Sequence, residues 1–426
     1  MPDRNGNKCF VDLFAGCGGL SLGLEQAGFV PVLVNELNKD AMETYLENRD
    51  SEYPLLRERY NVSDVWTLAE NDNFLNSVIM NMKSDYGIDV KSGDLDLLVG
   101  GPPCQGYSGI GYRRHYSVNK EQIPSNHLYK AMAKLIEAMH PKIFLFENVK
   151  GILSGRWTPS GNKGEIWNDV LNTFIAIDGY TVRWKLVHAK DYGAPQNRPR
   201  VLMVGIRNGV INNAKPIPDD AVKAGFLPIP TCDYPDLIDL LSDLDHDNYH
   251  LGGEDTIYLS AAKTPIQKKL RTKKDGSLMK KGSPLSEQEY SKHSDRIVEK
   301  FTCMHENGGE IPDRFKTKKF AQKLLPARWD EKGPTITACC LADDYVHYSK
   351  PRVLTVREWA RLQTFPDWYS FAGKRTTGGI RRAGNPRDGI HERELPKYTQ
   401  IGNAVPVVLA EKVGNNFLKI LSQNDD

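Results

Sequence analysis

Short apolar runs, each closed by glycines or by an acidic residue, set the rhythm of the first 210 or so positions. The stretch CFVDLFAGCGGLSLGLEQAGF (9–29) begins as a strand, breaks at Gly16-Cys17-Gly18-Gly19, and resumes with Leu20, Leu22, Leu24 and Ala27 at helical spacing. A strand, a glycine turn and a helix in that order form the opening unit of a doubly wound sheet. The next apolar run, FVPVLVNE (29–36), ends on Glu36. That acid lies about 20 residues past the turn, where such folds set a carboxylate against ribose hydroxyls. The pair points to a nucleoside cofactor. A dinucleotide fingerprint would need glycine at position 21, and Ser21 stands there, which disfavours nicotinamide and flavin.

Farther along, DLDLLVGG (94–101) and HPKIFLFENVKGIL (140–153) read as buried strands, with LYKAMAKLIEAM (128–139) as the crossover helix between them. TVRWKLVHA (181–189) and RVLMVGIR (200–207) flank a polar loop and predict a hairpin at the far edge of the sheet. The expected fold is therefore α/β, a doubly wound Rossmann-like domain over residues 1–209. Beyond that the pattern changes: prolines become frequent and strands short, so a smaller, mixed second domain is expected over 210–397. Near its end, Thr355 with Glu358 three residues later predicts a capped amphipathic helix in PRVLTVREWARLQTFPDWY (351–369). The segment 398–426, a Gly-Asn turn followed by an apolar helix, is expected to return to the first domain.

Composition bounds the function more weakly. A chain of 426 residues with 40% hydrophobic and 26% charged residues fits a globular protein, and no apolar run reaches the roughly 18 residues of a membrane span. With no apolar leader at MPDRNGNKCF, the expectation is a cytoplasmic protein, in the bacterial cytosol. Seven cysteines without repeated short spacings suit a reducing compartment and argue against both a disulfide framework and a zinc site. A net charge of +2 identifies no partner, but residues 263–281 hold eight basic side chains: Lys263, Lys268, Lys269, Arg271, Lys273, Lys274, Lys280 and Lys281. Such a run is either a solvated face or a phosphate-binding surface.

Candidate chemistry centres on GGPPCQGYSG (100–109). Two prolines fix the backbone ahead of Cys104, and Gly100, Gly101 and Gly106 leave room for a flat ring. A thiol held this way is a candidate nucleophile, although a lone cysteine is more often inert. Strand ends elsewhere supply Glu147, Arg198 and Arg200, and in a doubly wound sheet these ends converge on one crevice. Singly, the glutamate reads as a helix cap and the arginines as ion-pair partners.

Taken in order, these stretches resemble the cytosine-5 DNA methyltransferases of bacterial and phage restriction-modification systems. DLFAGCGGLSLGLEQAGF is similar to the family's cofactor loop, NE at 35–36 to its ribose acid, and GPPCQGYS to its nucleophile loop. ENVKGIL matches its glutamate motif, QNRPR (196–200) its arginine motif, and LTVREWARLQTFPD and IGNAVP its terminal motifs. The likeness covers roughly 9–207 and 333–416.

The resemblance implies a DNA (cytosine-5-)-methyltransferase that uses S-adenosyl-L-methionine and no metal. It sets Phe14 against the adenine, Glu36 on the ribose, and Gly16, Gly18 and Asn403 near the methionine end, with Asp64 at the adenine edge. Asp94 and Asp96 compete with Asp64 for that place. Ala15, Gly19, Leu37, Pro102 and Val405 complete the cofactor set. Cys104 would attack C6 of a flipped-out cytosine, Glu147, held protonated by a raised pKa, would serve N3, and Arg200, with Arg198 second, would bind the base carbonyl or orient Glu147. The middle of the chain becomes a target-recognition domain on duplex DNA. The family likeness also implies a monomer, and it leaves room for a cognate restriction endonuclease acting separately. A tRNA-acting relative and an inactive DNA-binding relative are the alternatives. Zinc deaminases are excluded, because Tyr107 stands where their second cysteine would be and no HxE triplet occurs.

Overall fold

The computed structural model describes residues 7–103, 124–211, 217–317, 322–329, 333–336, 341–376 and 394–423. Cys104 lies outside these residues. The chain forms two compact units, one of residues 1–188, 199–230 and 409–426 and the other of residues 189–198 and 231–408. These partings differ from the expected boundaries at 209/210 and 397/398.

The first unit is built on a seven-stranded sheet. In chain order its elements are β1 (Cys9–Leu13), α1 (Gly19–Ala27), β2 (Val30–Asn35), α2 (Lys39–Glu47), α3 (Pro54–Glu58), β3 (Asn61–Val62), α4 (Val65–Glu70) and α5 (Asp72–Tyr86). There follow β4 (Leu97–Gly100), α6 (Leu128–Met139), β5 (Ile143–Val149), α7 (Glu165–Ile175), β6 (Tyr180–His188) and β7 (Pro199–Arg207). The sheet order is β3-β2-β1-β4-β5-β7-β6. β3, β2, β1, β4 and β5 pair in parallel, while β7 runs antiparallel to both β5 and β6. Every residue of β1 and β4 is buried, as it must be in parallel strands covered on both faces.

The strands and crossover helix expected from the sequence are present. The terminal hairpin is present as well, and within it the inner strand is β7. Its residues Arg200–Ile206 are all buried, so it fills the interior position, whereas partly exposed β6 takes the edge.

Apart from the helix Asp295–Glu306, the described helices that lie wholly within the second unit are short. Thr355 and Glu358 form the expected capping box on the helix Val356–Leu362. Gly402 and Asn403 do not form a free turn as expected, because they close the helix Lys397–Asn403. No described helix is long and apolar enough to cross a membrane.

Candidate active site

Beyond β1 the chain enters the left-handed region three times in five residues, at Phe14 (φ 59°), Gly16 (56°) and Gly18 (83°). The glycines adopt it freely. Phe14 does so at a cost of about 1–3 kcal/mol. Asn35 at the end of β2 offsets that strain: its Oδ1 accepts the Phe14 N–H at 3.3 Å, and its amide donates to the Val62 and Ser63 carbonyls at 2.8 and 3.0 Å. One buried side chain thus joins the ends of three neighbouring strands.

Glu36 closes the same loop. Its Oε2 accepts the Gly16 N–H at 2.9 Å and its Oε1 the Asn38 N–H at 2.7 Å. Burial holds the carboxyl above its usual range, with the N–H groups of Asn38, Gly16 and Leu37 pulling the other way. Each oxygen retains acceptor capacity for a hydroxyl group. Ala15 donates to the Asn35 carbonyl at 2.9 Å, and Gly19 begins α1. Gly18 gives that nine-residue helix no side-chain cap, an arrangement suited to a ligand carboxylate. Leu37, 74% exposed, follows directly. The residues present therefore fit a nucleoside with an amino-acid tail.

Asp64 follows β3 at the same edge, and its Oδ1 caps α4 through the Trp66 N–H at 3.0 Å. Its two competitors stand elsewhere. Asp96 is buried just before β4, where it pairs with Lys142 at 2.7 Å and accepts the Cys9 N–H at 2.9 Å. Asp94 accepts the Asp89 N–H at 3.1 Å.

A buried polar group that the sequence reading does not single out lies beneath the loop. Ser21 donates to Asp12 and lies 3.0 Å from the Tyr45 hydroxyl. Arg49 pairs with Glu25 at 2.5 Å, and its guanidinium stacks 3.8 Å over the Tyr45 ring. Burial pushes Asp12 up to about 7, against the Ser21 hydrogen bond and the Arg49 charge. An acid inside the otherwise apolar run CFVDLF was the available signal. Burial likewise pushes the Cys17 thiol up to about 12, which keeps it neutral and unreactive.

The second cluster forms where β4, β5 and β7 end. Glu147 pairs with Arg200, Oε1 to Nε, at 2.6 Å, both side chains being largely buried. Sheet register explains the meeting: Arg200 lies opposite Val149 and Leu202 opposite Glu147, so the two are diagonal neighbours on one face. A Cβ on Gly101 would stand 2.9 Å from Glu147 Oε2. Glycine at that position admits the carboxylate. Pro102, buried, accepts a hydrogen bond from the Asn148 amide at 3.1 Å. Cys104, two residues on, is outside the described residues.

The remaining expected residues belong to the second unit. Arg198 is buried there, donating to the carbonyls of Ile336 at 2.6 Å and Gly402 at 2.5 Å. Asn403 is exposed at the end of its helix, and Val405 is buried nearby in sequence. Within this unit Arg361 binds Asp243 at 2.5 Å and Asp367 at 2.6 Å, and Arg271 joins Asp243 at 2.6 Å. Arg271 is thus a core residue, which removes it from the basic run. The seven lysines of that run are exposed.

Residues 9–419 match the family model described as C-5 cytosine-specific DNA methylase. The chain is 28% identical to the type II methyltransferase M.DdeI of Desulfomicrobium norvegicum over 96% of its own length and 88% of that protein. It is 30% identical to M.BsuRI of Bacillus subtilis over 95% of its own length and 78% of that protein. Its fold resembles the crystal structure of a protein described as a prophage-encoded DNA modification methyltransferase from E. coli, with a TM-score of 0.65 at 24% identity, over 97% of this chain and 99% of that one.

Proposed function

The chain belongs to the C-5 cytosine-specific DNA methylase family, and we propose that its chemistry runs through Glu147 and Arg200, where β5 ends and β7 begins, and through Cys104, which follows β4 in sequence. The protein transfers a methyl group from S-adenosyl-L-methionine to C5 of cytosine in DNA. The observation that carries the residue assignment is the Glu147–Arg200 pair at 2.6 Å, set against a glycine that leaves Glu147 room.

In this reading the Cys104 thiolate adds to C6 of a flipped-out cytosine. As the S–C6 bond forms, ring electrons shift to N3, which takes a proton from Glu147, and C5 becomes the nucleophilic carbon of an enamine. S-adenosylmethionine supplies an electrophilic methyl group to C5. Loss of the C5 proton to a base then restores the C5–C6 double bond and expels the thiolate, while N3 returns its proton to Glu147. Arg200 acts by orienting the glutamate. Gly16, Gly18, Glu36 and Asp64, with Phe14, Ala15, Gly19, Leu37 and Pro102, hold the cofactor. Arg198, Asn403 and Val405 are carried in the proposal by family resemblance alone.

The second unit, with its exposed lysines, is the target-recognition part: lysines meet phosphates and position the duplex, and other side chains read base edges. The modified cytosine lies within one short sequence of duplex DNA, as in restriction-modification systems. The protein acts as a monomer in the bacterial cytoplasm.

The test is to incubate the protein with methyl-labelled S-adenosylmethionine and mixed-sequence duplex DNA and to map modified cytosines by deamination sequencing. C5 label within one recurring short sequence is expected. Cys104→Ser should still bind cofactor and lose nearly all transfer. Near-normal transfer by that variant would remove the cysteine from the mechanism.

A further inference from the structure

We propose that Asn148 is a positioning residue whose side chain replaces a missing rung between β4 and β5, and so sets the exit of the cysteine loop relative to Glu147. The inference rests on the reading of Cys104 and Glu147 given above.

The parallel ladder between β4 and β5 ends at the pair Gly100 and Phe146. β5 nevertheless runs on through Glu147, Asn148 and Val149, paired on its other side with β7. On the β4 side the chain continues as Gly101, Pro102 and Pro103. Proline has no N–H and a fixed φ, so this segment cannot extend a regular ladder. The carbonyl of buried Pro102 still needs a donor. Asn148, 4% exposed, answers on both sides of the break. Its Nδ2 donates to the Pro102 carbonyl at 3.1 Å, and its Oδ1 accepts the Val149 N–H at 2.9 Å. One amide therefore supplies both the donor and the acceptor of a peptide rung.

The clamp joins the two segments that matter to the reaction. Asn148 directly follows Glu147, and Pro102 precedes Cys104 by two residues. Gly101 completes the junction, since a Cβ there would stand 2.9 Å from Glu147 Oε2. Two groups that must address C6 and N3 of one ring are thus referred to a common side chain. Asn148 touches neither reacting atom and acts through the backbone at Pro102.

The experiment uses duplex DNA carrying 5-fluorocytosine at the mapped target. Fluorine cannot leave C5 as a cation, so the thiol adduct persists and its formation is timed in a single turnover. Asn148→Asp keeps the shape but sets a carboxylate oxygen against the Pro102 carbonyl, and Asn148→Ala removes the rung without adding charge. Both variants should form adduct about 10- to 100-fold more slowly at saturating S-adenosylmethionine, the scale expected for misplacing a reacting group, with unchanged affinity for DNA and an unchanged final adduct yield. A merely structural role would lower the yield, by reducing the folded fraction, while leaving the rate of the competent molecules alone. That result in both variants, or wild-type rates in either, overturns the proposal. Absence of adduct in the wild-type protein would overturn the mechanistic reading and this inference with it.

Discussion

Asp12 is an acid in the middle of a strand whose every residue is buried, and its stabilising partners do not offset the loss of solvent. Its pKa stands at about 7 in the folded protein against 3.8 ordinarily. Between those values the native state keeps a proton that the unfolded chain releases, so this group makes the protein less stable as pH rises from about 4 to about 7, and the loss is complete above that window. Three pKa units correspond to on the order of 4 kcal/mol. Asp12→Asn, which keeps the contact to Ser21 and removes the titration, should flatten the decline in a series of urea melts across that window. A variant with the same pH dependence as the parent would show that Asp12 does not titrate there. Glu36 also sits above its usual range, through burial, but it accepts two backbone N–H bonds and faces the proposed ribose. Of the two acids, Asp12 is the one whose titration reports on the fold.

At the scale of elements, the helix Val356–Leu362 is held by charge as well as by its capping box. Glu358 caps through Thr355 and forms a doubly bonded buried pair with Arg352 at 2.7 and 2.8 Å. The Arg352 guanidinium and nearby His347, acting against burial, hold the Glu358 carboxyl down at about 2. Arg361, on the same helix, gathers Asp243 and Asp367, and Tyr258 donates to Asp367 at 2.7 Å. Removing one member of such a network leaves charges buried and uncompensated, which costs about 3–5 kcal/mol. Arg361→Met should accordingly destabilise the second unit by that amount, read as a lower denaturation midpoint. A midpoint within experimental error of the parent would mean that the two carboxylates find other partners. The motif was legible in sequence as a capped amphipathic helix. Its charged face was not legible as core, because periodicity reports apolar positions and is silent on which arginines meet acids brought from distant segments.

Across the whole molecule, the small net charge of +2 conceals a local run of lysines. Lys263, Lys268, Lys269, Lys273, Lys274, Lys280 and Lys281 are exposed, whereas Arg271 is buried with its guanidinium 3.7 Å over the Tyr258 ring. Changing Lys268, Lys269, Lys273 and Lys274 to Gln should weaken DNA binding and flatten its salt dependence, by about 0.9 in log–log slope for each phosphate that is no longer neutralised. Titrations at several salt concentrations measure this directly, and an unaltered slope would assign the run to a solvated face. Arg271→Gln belongs in a separate experiment, since it would act on folding.

The strands β1, β2, β4, β5, β6 and β7, the helices α1 and α6, the glycine turn, the acid at Glu36 and the motifs around Cys104 and Glu147 are readable from the chain before it folds. Each is written in a few neighbouring residues whose spacing or backbone chemistry is self-contained. Folding itself selected the rest: that β7 lies inside β6, that Arg200 is brought beside Glu147, that Arg271 leaves the basic surface, and that Asn148 bridges to Pro102. These outcomes depend on register and burial between segments far apart in the chain. No local pattern encodes them, because the partner that satisfies a buried charge or carbonyl is chosen only when the strands and helices pack.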